Sequence, residues 1–290
     1  MQLRGCALRI KFYGVRGSTP CSCLENQRIG GNTACVVVTG EGFGPIVLDL
    51  GTGLRFWGAE LEATNRPDGT PFSATALVSH LHWDHIQGLP FFQPMHWAQT
   101  QLHVIGPPQD NGLGLGEAFD TFLCPPVFPV SVAQLAATTT FGEAGSEPIE
   151  LGAATVTCRD VPHVGPTVGY RIEAGGVSVA YVSDHQQPGC LSTEVAESVL
   201  DLCAGVDLLI HDAQYTDPEF AERFDWGHCT TDYAVEVAAQ ADVKRLALYH
   251  HDPSHDDEMV EDLVRKSAAV AASRGDFEVF AAAEGMVIEL

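Results

Sequence analysis

A cluster of three histidines and one aspartate within six consecutive residues constrains this chain more than any other feature. The stretch His-Leu-His-Trp-Asp-His at residues 80–85 directly follows the apolar run at residues 76–78, which is typical of a buried strand. A strand that ends here in a tight loop carries the four polar side chains to one edge of a sheet. Neutral imidazole and carboxylate suit zinc, manganese or iron. The first two histidines could share one ion, and the aspartate and the last histidine could hold a second. The pattern therefore predicts a metal site, rather than a chance cluster of surface histidines.

Length and composition indicate a large globular chain. Its 290 residues are 45% hydrophobic, enough for a full core in one large or two small domains. No stretch reaches the roughly 18 apolar residues of a membrane span. Residues 1–8 show no apolar core or cleavage pattern, so we expect no signal peptide. Nine cysteines without a framework spacing indicate reduced thiols in the cytoplasm.

The charge balance is strongly acidic, with 38 Asp and Glu against 15 Lys and Arg and a net charge of −23. Long nucleic acids are bound largely through basic patches that neutralise phosphates, and this chain has no basic run. A long nucleic acid is therefore not the expected substrate. Bound metal cations can still draw a small phosphate compound into a pocket.

Strands and helices alternate along the chain without a short repeat. Strands are predicted at 8–13, 34–39, 46–49, 76–78, 102–106, 154–159, 168–173, 177–182, 206–210 and 245–249, and two short strands close the chain. Helices are predicted at 54–63, 115–122, 194–203, 230–241 and 256–274. The segment at about 107–147 is rich in Gly, Pro and Thr, and we expect a variable cap over the site there. Residues 1–290 are thus predicted to form a single domain.

The metal motif resembles a known family. His-x-His-x-Asp-His after a strand is similar to the signature of the metallo-β-lactamase superfamily, whose fold is a four-layer αββα sandwich. Gly-Val-Arg-Gly-Ser at 14–18 and Gly-Gly-Asn-Thr at 30–33 resemble pieces of a phosphodiesterase-like branch of that superfamily. The resemblance covers nearly the whole chain, and it implies an αββα fold and a binuclear metallohydrolase without naming the substrate.

The resemblance also implies the remaining metal ligands. Two ions need roughly seven protein ligands, and the residues at strand ends that match the family add three to the first four. The implied set is His80, His82, Asp84, His85, His163, Asp184 and His250, holding two divalent ions, with Zn²⁺ first and Mn²⁺ or Fe²⁺ as alternatives. Because adjacent strand residues face opposite ways, His185 and His251 are not expected to be ligands. His96 and His103 have no metal partners in the sequence and are expected to be packed or hydrogen-bonded.

Four residues of the first third carry weaker predictions. Asp49 ends a strand and either orients a ligand imidazole or is an ordinary aspartate in a turn. Arg16 is either a solvated loop residue or a phosphate contact. Cys21 and Cys23 resemble the start of an extra zinc site in a cyclic-phosphate phosphodiesterase of phosphonate breakdown. That site needs another nearby cysteine, which the following residues do not supply, so an extra zinc at Cys21 and Cys23 is the less favoured of two alternatives that the sequence leaves open.

A second pair of residues narrows the reaction. Asp212 and His228 resemble the pair in tRNA 3′-processing endonucleases in which an acidic residue orients a histidine that protonates the leaving oxygen. On that resemblance His228 is the general acid and Asp212 its orienting partner, with Asp in place of the endonuclease Glu. The alternative for His228 is a structural histidine at a helix entry. Thr230 is predicted to cap the following helix, and His211 is structural or a weak candidate near the site.

These residues predict a mechanism. Two cations lower the pKa of a shared water toward about 7 and offset charge on the phosphoryl group. Asp84 takes or holds the water's proton, and His228 donates to the departing oxygen. The predicted function is a cytoplasmic metal-dependent phosphodiesterase for a small phosphodiester, with a cyclic nucleotide as the first candidate.

Three alternatives stay open. One is a tRNA 3′-end endonuclease, although the basic, Gly-rich arm that should grip tRNA is not evident. Another is a lactone, thioester or sulfate-ester hydrolase on the same scaffold. The third is a non-catalytic metal-binding sensor, against which the intact ligand set argues. The resemblance also suggests a homodimer.

Overall fold

A computed structural model describes residues 7–64 and 70–290 of the chain. The expectation of no signal peptide concerned residues 1–8, and residues 1–6 of that stretch lie outside the described ranges. Its strands are β1 (Arg9–Gly14), β2 (Cys35–Thr39), β3 (Ile46–Leu48), β4 (Phe72–Leu77), β5 (Thr100–Gly106), β6 (Thr138–Glu143), β7 (Ile149–Leu151), β8 (Ala154–Asp160), β9 (Val168–Ala174), β10 (Val177–Val182), β11 (Leu208–Asp212), β12 (Arg245–Tyr249), β13 (Glu278–Ala281) and β14 (Val287–Glu289). Its helices are α1 (Leu54–Ala63), α2 (Trp83–Ile86), α3 (Leu115–Phe122), α4 (Glu197–Cys203), α5 (Asp217–Glu222), α6 (Thr231–Gln240) and α7 (Asp257–Ala271). No helix in these two described ranges has the length and apolarity needed to cross a membrane.

The strands form two seven-stranded sheets, in the orders β14-β1-β2-β3-β4-β5-β6 and β13-β12-β11-β10-β9-β8-β7. In the first sheet β14, β1, β2 and β3 pair antiparallel, whereas β3 to β6 pair in parallel. In the second sheet β7 to β10 pair antiparallel, and β10 to β13 pair in parallel. The carboxyl ends of neighbouring parallel strands meet at one sheet edge, so the residues that follow β4, β10, β11 and β12 can converge.

The two sheets pack face to face around a central apolar cluster. Ile10 and Phe12 of β1 point into it, and Tyr170 and Tyr181 reach it from the second sheet. Because side chains alternate along a strand, the residues between them point to the outer face. Each sheet therefore buries one face against the other sheet and needs a second layer to cover its other face.

Helices cover the two outer faces. Trp57 of α1 packs on the outer face of the first sheet, with Phe72 of β4. Leu202 of α4 and Val235 of α6 pack on the outer face of the second sheet, with Leu209 of β11. This arrangement confirms the predicted four-layer αββα sandwich.

Several elements were absent from the sequence prediction, among them the short α2 and β7 and the two that follow. Thr138–Glu143 (β6), inside the segment expected to be a cap, pairs in parallel with β5 and ends the first sheet. It is a half-exposed edge strand of polar composition, so it lacks the apolar alternation that marks a strand. Asp217–Glu222 (α5) is short and begins with a capping box between Thr216 and Glu219, a signal that local sequence does contain. The segment at 107–147 is thus partly sheet, while α3 and its flanking loops lie beside residues 80–85, which we call the metal loop.

Candidate metal centre

The metal loop combines an extended stretch with one helical turn. After β4, Val78 donates its N–H to Ile105 O at 2.8 Å, so the chain continues along the sheet. His82 is extended, with φ −64° and ψ 150°, and it precedes α2. The turn of α2 then holds Asp84 and His85, which are both buried. The predicted tight loop is therefore a strand end followed by a short helix, and this geometry divides the four side chains into two pairs.

All seven predicted ligands come together in two groups, and within each group one ligand atom per residue lies within 4.8 Å of every other. The groups are His80, His82, His163 and Asp184, and Asp84, His85 and His250. Asp184 faces both of them. Its Oδ2 lies 3.8 Å from His80 Nε2 and 3.8 Å from His163 Nε2. Its Oδ1 lies 3.2 Å from His85 Nε2 and 3.4 Å from His250 Nε2. If each group held an ion, Asp184 would be the residue shared between them.

Buried atoms without hydrogen-bond partners indicate that this site fits cations. His80 Nε2 and Asp184 Oδ1 are both buried and have no hydrogen-bond partner among the described residues. Buried polar atoms are rarely left unpaired, and both of these residues belong to the first ligand group. The donor set is imidazole and carboxylate, which suits zinc and its neighbours in the first transition series.

The protonation states of His80, His163 and Asp184 also suit metal binding, which needs neutral imidazoles and charged carboxylates. Burial lowers the pKa of His80 well below its ordinary value, and burial lowers that of His163 to about 4. Burial acts to raise the pKa of Asp184, but the surrounding histidines outweigh it and hold this pKa well below its usual range. For His85, burial is outweighed by the charges of neighbouring carboxylates, which raise its pKa. A cation bound here would take the place of that proton.

Asp49 lies behind the second group and contacts a ligand directly. Its Oδ2 is 2.8 Å from His85 Nδ1 and accepts from Tyr181 OH at 2.7 Å and Ser79 Oγ at 2.8 Å. Its Oδ1 accepts from Ser79 N–H at 2.7 Å. A carboxylate that engages Nδ1 of a ligand histidine leaves Nε2 for the ion and fixes the ring orientation. The hydrogen bond between Asp49 and His85 is the contact expected of an orienting residue rather than an ordinary turn aspartate.

Two more ligands have their Nδ1 atoms engaged in the same way. His250 Nδ1 is 2.8 Å from Gln214 Oε1, and His163 Nδ1 is 2.6 Å from Gly227 O. His250 also adopts a positive φ of 59°, a conformation that is uncommon outside glycine. Sequence reasoning missed Gln214, and its place two residues after Asp212 at a strand end was the only signal for it.

His228 and Asp212 form a hydrogen-bonded pair beside the two groups. His228 Nδ1 lies 3.1 Å from Asp212 Oδ2, and ligand atoms of His228, Asp184 and His250 lie within 4.8 Å of one another. Asp212 is held in place because its Oδ2 also accepts from His185 N–H and its Oδ1 accepts from Gln214 N–H, each at 3.0 Å. The remaining ring nitrogen of His228, Nε2, is the one available to a substrate.

The environment of His228 favours its protonated form. Burial alone lowers the pKa of His228, but the charge of Asp212 and its hydrogen bond raise it, with further contributions from Asp184 and Asp84. The net effect is a pKa above the ordinary value of 6.5. A histidine in this state can donate a proton near neutral pH.

The predicted cap of α6 is confirmed, because Thr230 Oγ1 accepts from Tyr233 N–H at 3.1 Å.

The neighbouring histidines lie outside both ligand groups. His185 Nδ1 is 3.0 Å from His211 Nε2, behind the site. His251 Nε2 is 3.0 Å from the backbone oxygen of Ala282, and it therefore points away from His250. The side chains of adjacent residues diverge here as expected.

The structure corrects the prediction for Arg16. This residue is fully buried, with an exposed fraction of 0%, so it is not a solvated loop residue. Its Nε donates to Gly30 O at 2.6 Å, and its Nη1 donates to Asp252 O at 3.0 Å and His255 O at 2.6 Å. It is also absent from the described residues that line the cavity over the metal groups. Arg16 therefore joins the first loop to the segment after β12 instead of contacting a phosphate.

The remaining candidates have local partners. Cys21 Sγ accepts from Asn26 Nδ2 at 2.9 Å, and no potential metal group formed by the described residues includes Cys21 or Cys23. His96 Nε2 lies 3.3 Å from a backbone oxygen, and His103 Nδ1 lies 2.8 Å from a threonine hydroxyl. Both histidines are hydrogen-bonded, as predicted.

A cavity of about 620 Å³ opens over the two ligand groups. This volume lies in the range of small-molecule sites. Its lining includes ligands, the candidate acid and two exposed aromatic residues: His82, Asp84, Asp184, His228, Trp83 and Trp226. The groups that could hold ions and donate a proton therefore face one concave space.

Comparisons with known proteins place the chain in a family. The model of the beta-lactamase superfamily domain matches residues 46–251. The chain is 29% identical over 282 residues to a ribonuclease Z of Sulfolobus acidocaldarius, and the alignment covers 83% of this chain and 87% of that protein. It is 30% identical over 220 residues to an uncharacterized protein of Mycobacterium tuberculosis, and the alignment covers 72% of this chain and 70% of that protein.

Solved structures share the fold. The metallo-β-lactamase fold protein YhfI of Bacillus subtilis has a TM-score of 0.70 at 20% identity, covering 98% of this chain and 100% of that one. The short form of human tRNase Z has a TM-score of 0.61 at 22% identity, covering 97% of this chain and 98% of that one. The family match assigns the chain to the metallo-β-lactamase superfamily, as a metal-dependent hydrolase, and these solved structures share its fold.

Proposed function

We propose that this protein is a binuclear metal-dependent phosphodiesterase that hydrolyses a small phosphodiester, with a cyclic nucleotide as the first candidate substrate. The observation that carries the proposal is the pair formed by His228 and Asp212, at 3.1 Å, next to Asp184. Phosphodiester cleavage expels a sugar oxygen that needs a proton to leave. Hydrolysis of a thioester has no need of this separate acid, because a thiolate leaves as a stable anion.

The chain's own residues can carry out the proton transfers. When bound, two divalent cations supply Lewis-acid activation of water and of the phosphoryl oxygens. Asp84 Oδ2 accepts from Ser18 N–H at 2.8 Å and lies 3.1 Å from His250 Nε2, so it is held where it can accept the proton of the attacking water. On this proposal His228 Nε2 gives its proton to the leaving oxygen, and the carboxylate of Asp212 stabilises the imidazolium before transfer.

The charge of the chain supports a small substrate. The net charge is −23, and the lining of the cavity contains no lysine or arginine within the part of the chain that is described. The phosphate would therefore be neutralised by the two ions, with Zn²⁺ first and Mn²⁺ or Fe²⁺ as alternatives. A cytoplasmic location, supported by the cysteine pattern, and a homodimer, supported by the family resemblance, belong to the same proposal.

A second candidate is tRNA 3′-end processing. It is favoured by one observation, the 29% identity to a ribonuclease Z over 83% of this chain. The acidic composition is unfavourable for gripping a long polyanion. The experiment must therefore include a tRNA substrate.

The test is a panel of bis(p-nitrophenyl) phosphate, cyclic nucleotides, a lactone, a thioester and a tRNA precursor. Each substrate is assayed with zinc or manganese and again after chelation. Chelator-sensitive cleavage of cyclic nucleotides but not of tRNA is the expected result. Cleavage of the tRNA precursor alone would favour the second candidate, whereas cleavage of only the thioester or the lactone would overturn both.

A further inference from the structure

We infer that Trp83 and Trp226 hold the nucleobase of a substrate with a single phosphodiester, so that the base, as well as the phosphate, is recognised. This inference rests on the proposed phosphodiesterase function and specifies its substrate class. The two side chains are 70% and 61% exposed and line the same cavity as the metal ligands. We call them the tryptophan pair.

The tryptophan pair reaches the cavity from the two halves of the sandwich. Trp83 begins α2 after β4 of the first sheet, and Trp226 precedes α6, which covers the second sheet. Each is also close in sequence to residues proposed to act on the phosphate. Trp83 stands between ligands His82 and Asp84, and Trp226 is two residues before His228. A planar group attached to a phosphate at the metal centre would therefore be within reach of both indole rings.

Trp226 is held in position even though its ring is exposed. The Arg223 guanidinium lies 5.6 Å from the Trp226 ring centroid and 5.4 Å from that of Tyr215, whose ring is 5.6 Å from that of His228. Arg223 also pairs with Asp252 at 3.4 Å. A cation between two aromatic rings restrains both of them. The exposed ring is thus fixed relative to the candidate acid.

The loop that carries Trp226 is fixed on both sides by one side chain. Gln186 donates through Nε2 to Phe224 O at 2.7 Å and accepts at Oε1 from Gly227 N–H at 2.8 Å. Trp83 is supported by α3, because its ring centroid lies 6.5 Å from that of Phe122. Rigid aromatic side chains lose little freedom on binding, which favours stacking against a flat ring.

The charges around the tryptophan pair select a nucleotide with one phosphate group. The lining carries the carboxylates Asp84, Asp184 and Asp225, and the described lining residues include no lysine or arginine to neutralise a second phosphate. Base-to-aromatic stacking does not depend on charge and tolerates any base. A cyclic mononucleotide meets both conditions, since the ions take its single phosphate and the tryptophan pair takes its base.

The test compares two substrates on zinc-loaded protein, a 3′,5′-cyclic nucleotide and ribose 3′,5′-cyclic phosphate without a base. The variants are Trp83→Ala, Trp226→Ala and the conservative Trp226→Phe. The matched control is Phe224→Ala, because Phe224 is 59% exposed on the same loop but is not among the described residues that line the cavity. Metal content and oligomeric state are measured for every variant. Quenching of tryptophan fluorescence by a non-hydrolysable phosphorothioate of the cyclic nucleotide provides a readout independent of turnover.

Loss of one stacked tryptophan is expected to lower kcat/KM for the cyclic nucleotide by about 5- to 150-fold, with that for the base-free diester unchanged. Trp226→Phe should retain most of the activity, and Phe224→Ala should behave as wild type. Equal losses on both substrates would overturn the inference. Wild-type kinetics in the two alanine variants, combined with a changed oligomeric state, would also overturn it, because the tryptophan pair would then belong to an interface between copies. If the wild type cleaves both diesters with equal kcat/KM, only this inference fails. If it cleaves neither, the proposed function fails, and fluorescence quenching still tests base binding.

Discussion

Replacing His228 with alanine should slow the reaction most for substrates whose leaving oxygen needs a proton. His228 Nδ1 is engaged by Asp212 Oδ2 at 3.1 Å, which leaves Nε2 for the substrate. A ribose oxygen leaves as a strongly basic alkoxide, whereas p-nitrophenolate is a stable anion near neutral pH. The same substitution should therefore have very different effects on the two kinds of substrate.

The magnitude follows from the role of a general acid. Such groups contribute about 10²- to 10⁴-fold to the rate, which corresponds to about 2.7–5.5 kcal/mol of barrier. His228→Ala should thus lose about 10²- to 10⁴-fold in kcat on a cyclic nucleotide, and about tenfold or less on bis(p-nitrophenyl) phosphate. His228 is not among the seven predicted ligands, so both ions should stay bound.

Asp212→Asn tests the source of the raised pKa. Asp212 Oδ2 accepts from both His228 and the backbone of His185, and a neutral amide cannot supply the same charge. The charge of Asp212 raises the pKa of His228 against the effect of burial, so the protonated acid persists to higher pH in the wild type. Removing that charge should lower the pKa of His228. The alkaline limb of the kcat profile on a cyclic nucleotide should then move to lower pH.

The assay measures kcat for both substrates and bound metal for each protein. A wild-type rate on the cyclic nucleotide in His228→Ala, with both ions retained, would refute the assigned acid and remove the reason to prefer phosphodiesters. Equal losses on the two substrates would show that His228 acts through the structure of the site rather than through proton donation.

Three further predictions concern the ions and the surrounding structure. Asp184→Asn should lose at least one ion per chain by elemental analysis, since the two carboxylate oxygens of Asp184 face the two ligand groups, and full retention would contradict the bridging role. Asp49→Ala should weaken metal affinity about 10- to 100-fold in competition with a chromophoric chelator, because it frees His85 Nδ1; unchanged affinity would contradict the orienting role. Burial, and then the charge of Arg16, lowers the pKa of His251 to about 3, so below about pH 6.5 the unfolded chain binds a proton that the fold excludes. This costs the wild type about 1.4 kcal/mol of stability per pH unit. When the pH falls from 6.5 to 5, the free energy of unfolding measured with urea should decrease by about 2 kcal/mol less in His251→Gln than in the wild type. Equal decreases in the two proteins would refute the argument.

The residues predicted to converge at strand ends carry local signals in the sequence and a resemblance to the family. The spacing of residues 80–85 after an apolar run predicted the metal loop, and the alternation of strand residues favoured His250 over His251. These are local signals, because a strand directs neighbouring side chains to opposite faces. The structure brings the predicted ligands into two adjacent groups.

The features that sequence reasoning missed depend on residues distant in the chain. Arg16 lies in a turn-rich loop that resembles solvated sequence, yet it is buried by carbonyl groups of Asp252 and His255, more than 230 residues later. Gln214 has no motif of its own, and its role is visible only from its contact with His250. Strand β6 lies at a sheet edge, where burial does not impose an apolar alternation.

The number of divalent ions bound per chain tests the central claim most directly. The wild type is stripped by chelation, reloaded with zinc, freed of excess metal by gel filtration and analysed for zinc and protein. Two ions per chain are predicted, because seven side chains form two groups with Asp184 between them. A chain that saturates with a single ion would contradict the binuclear centre and the hydrolytic mechanism built on it.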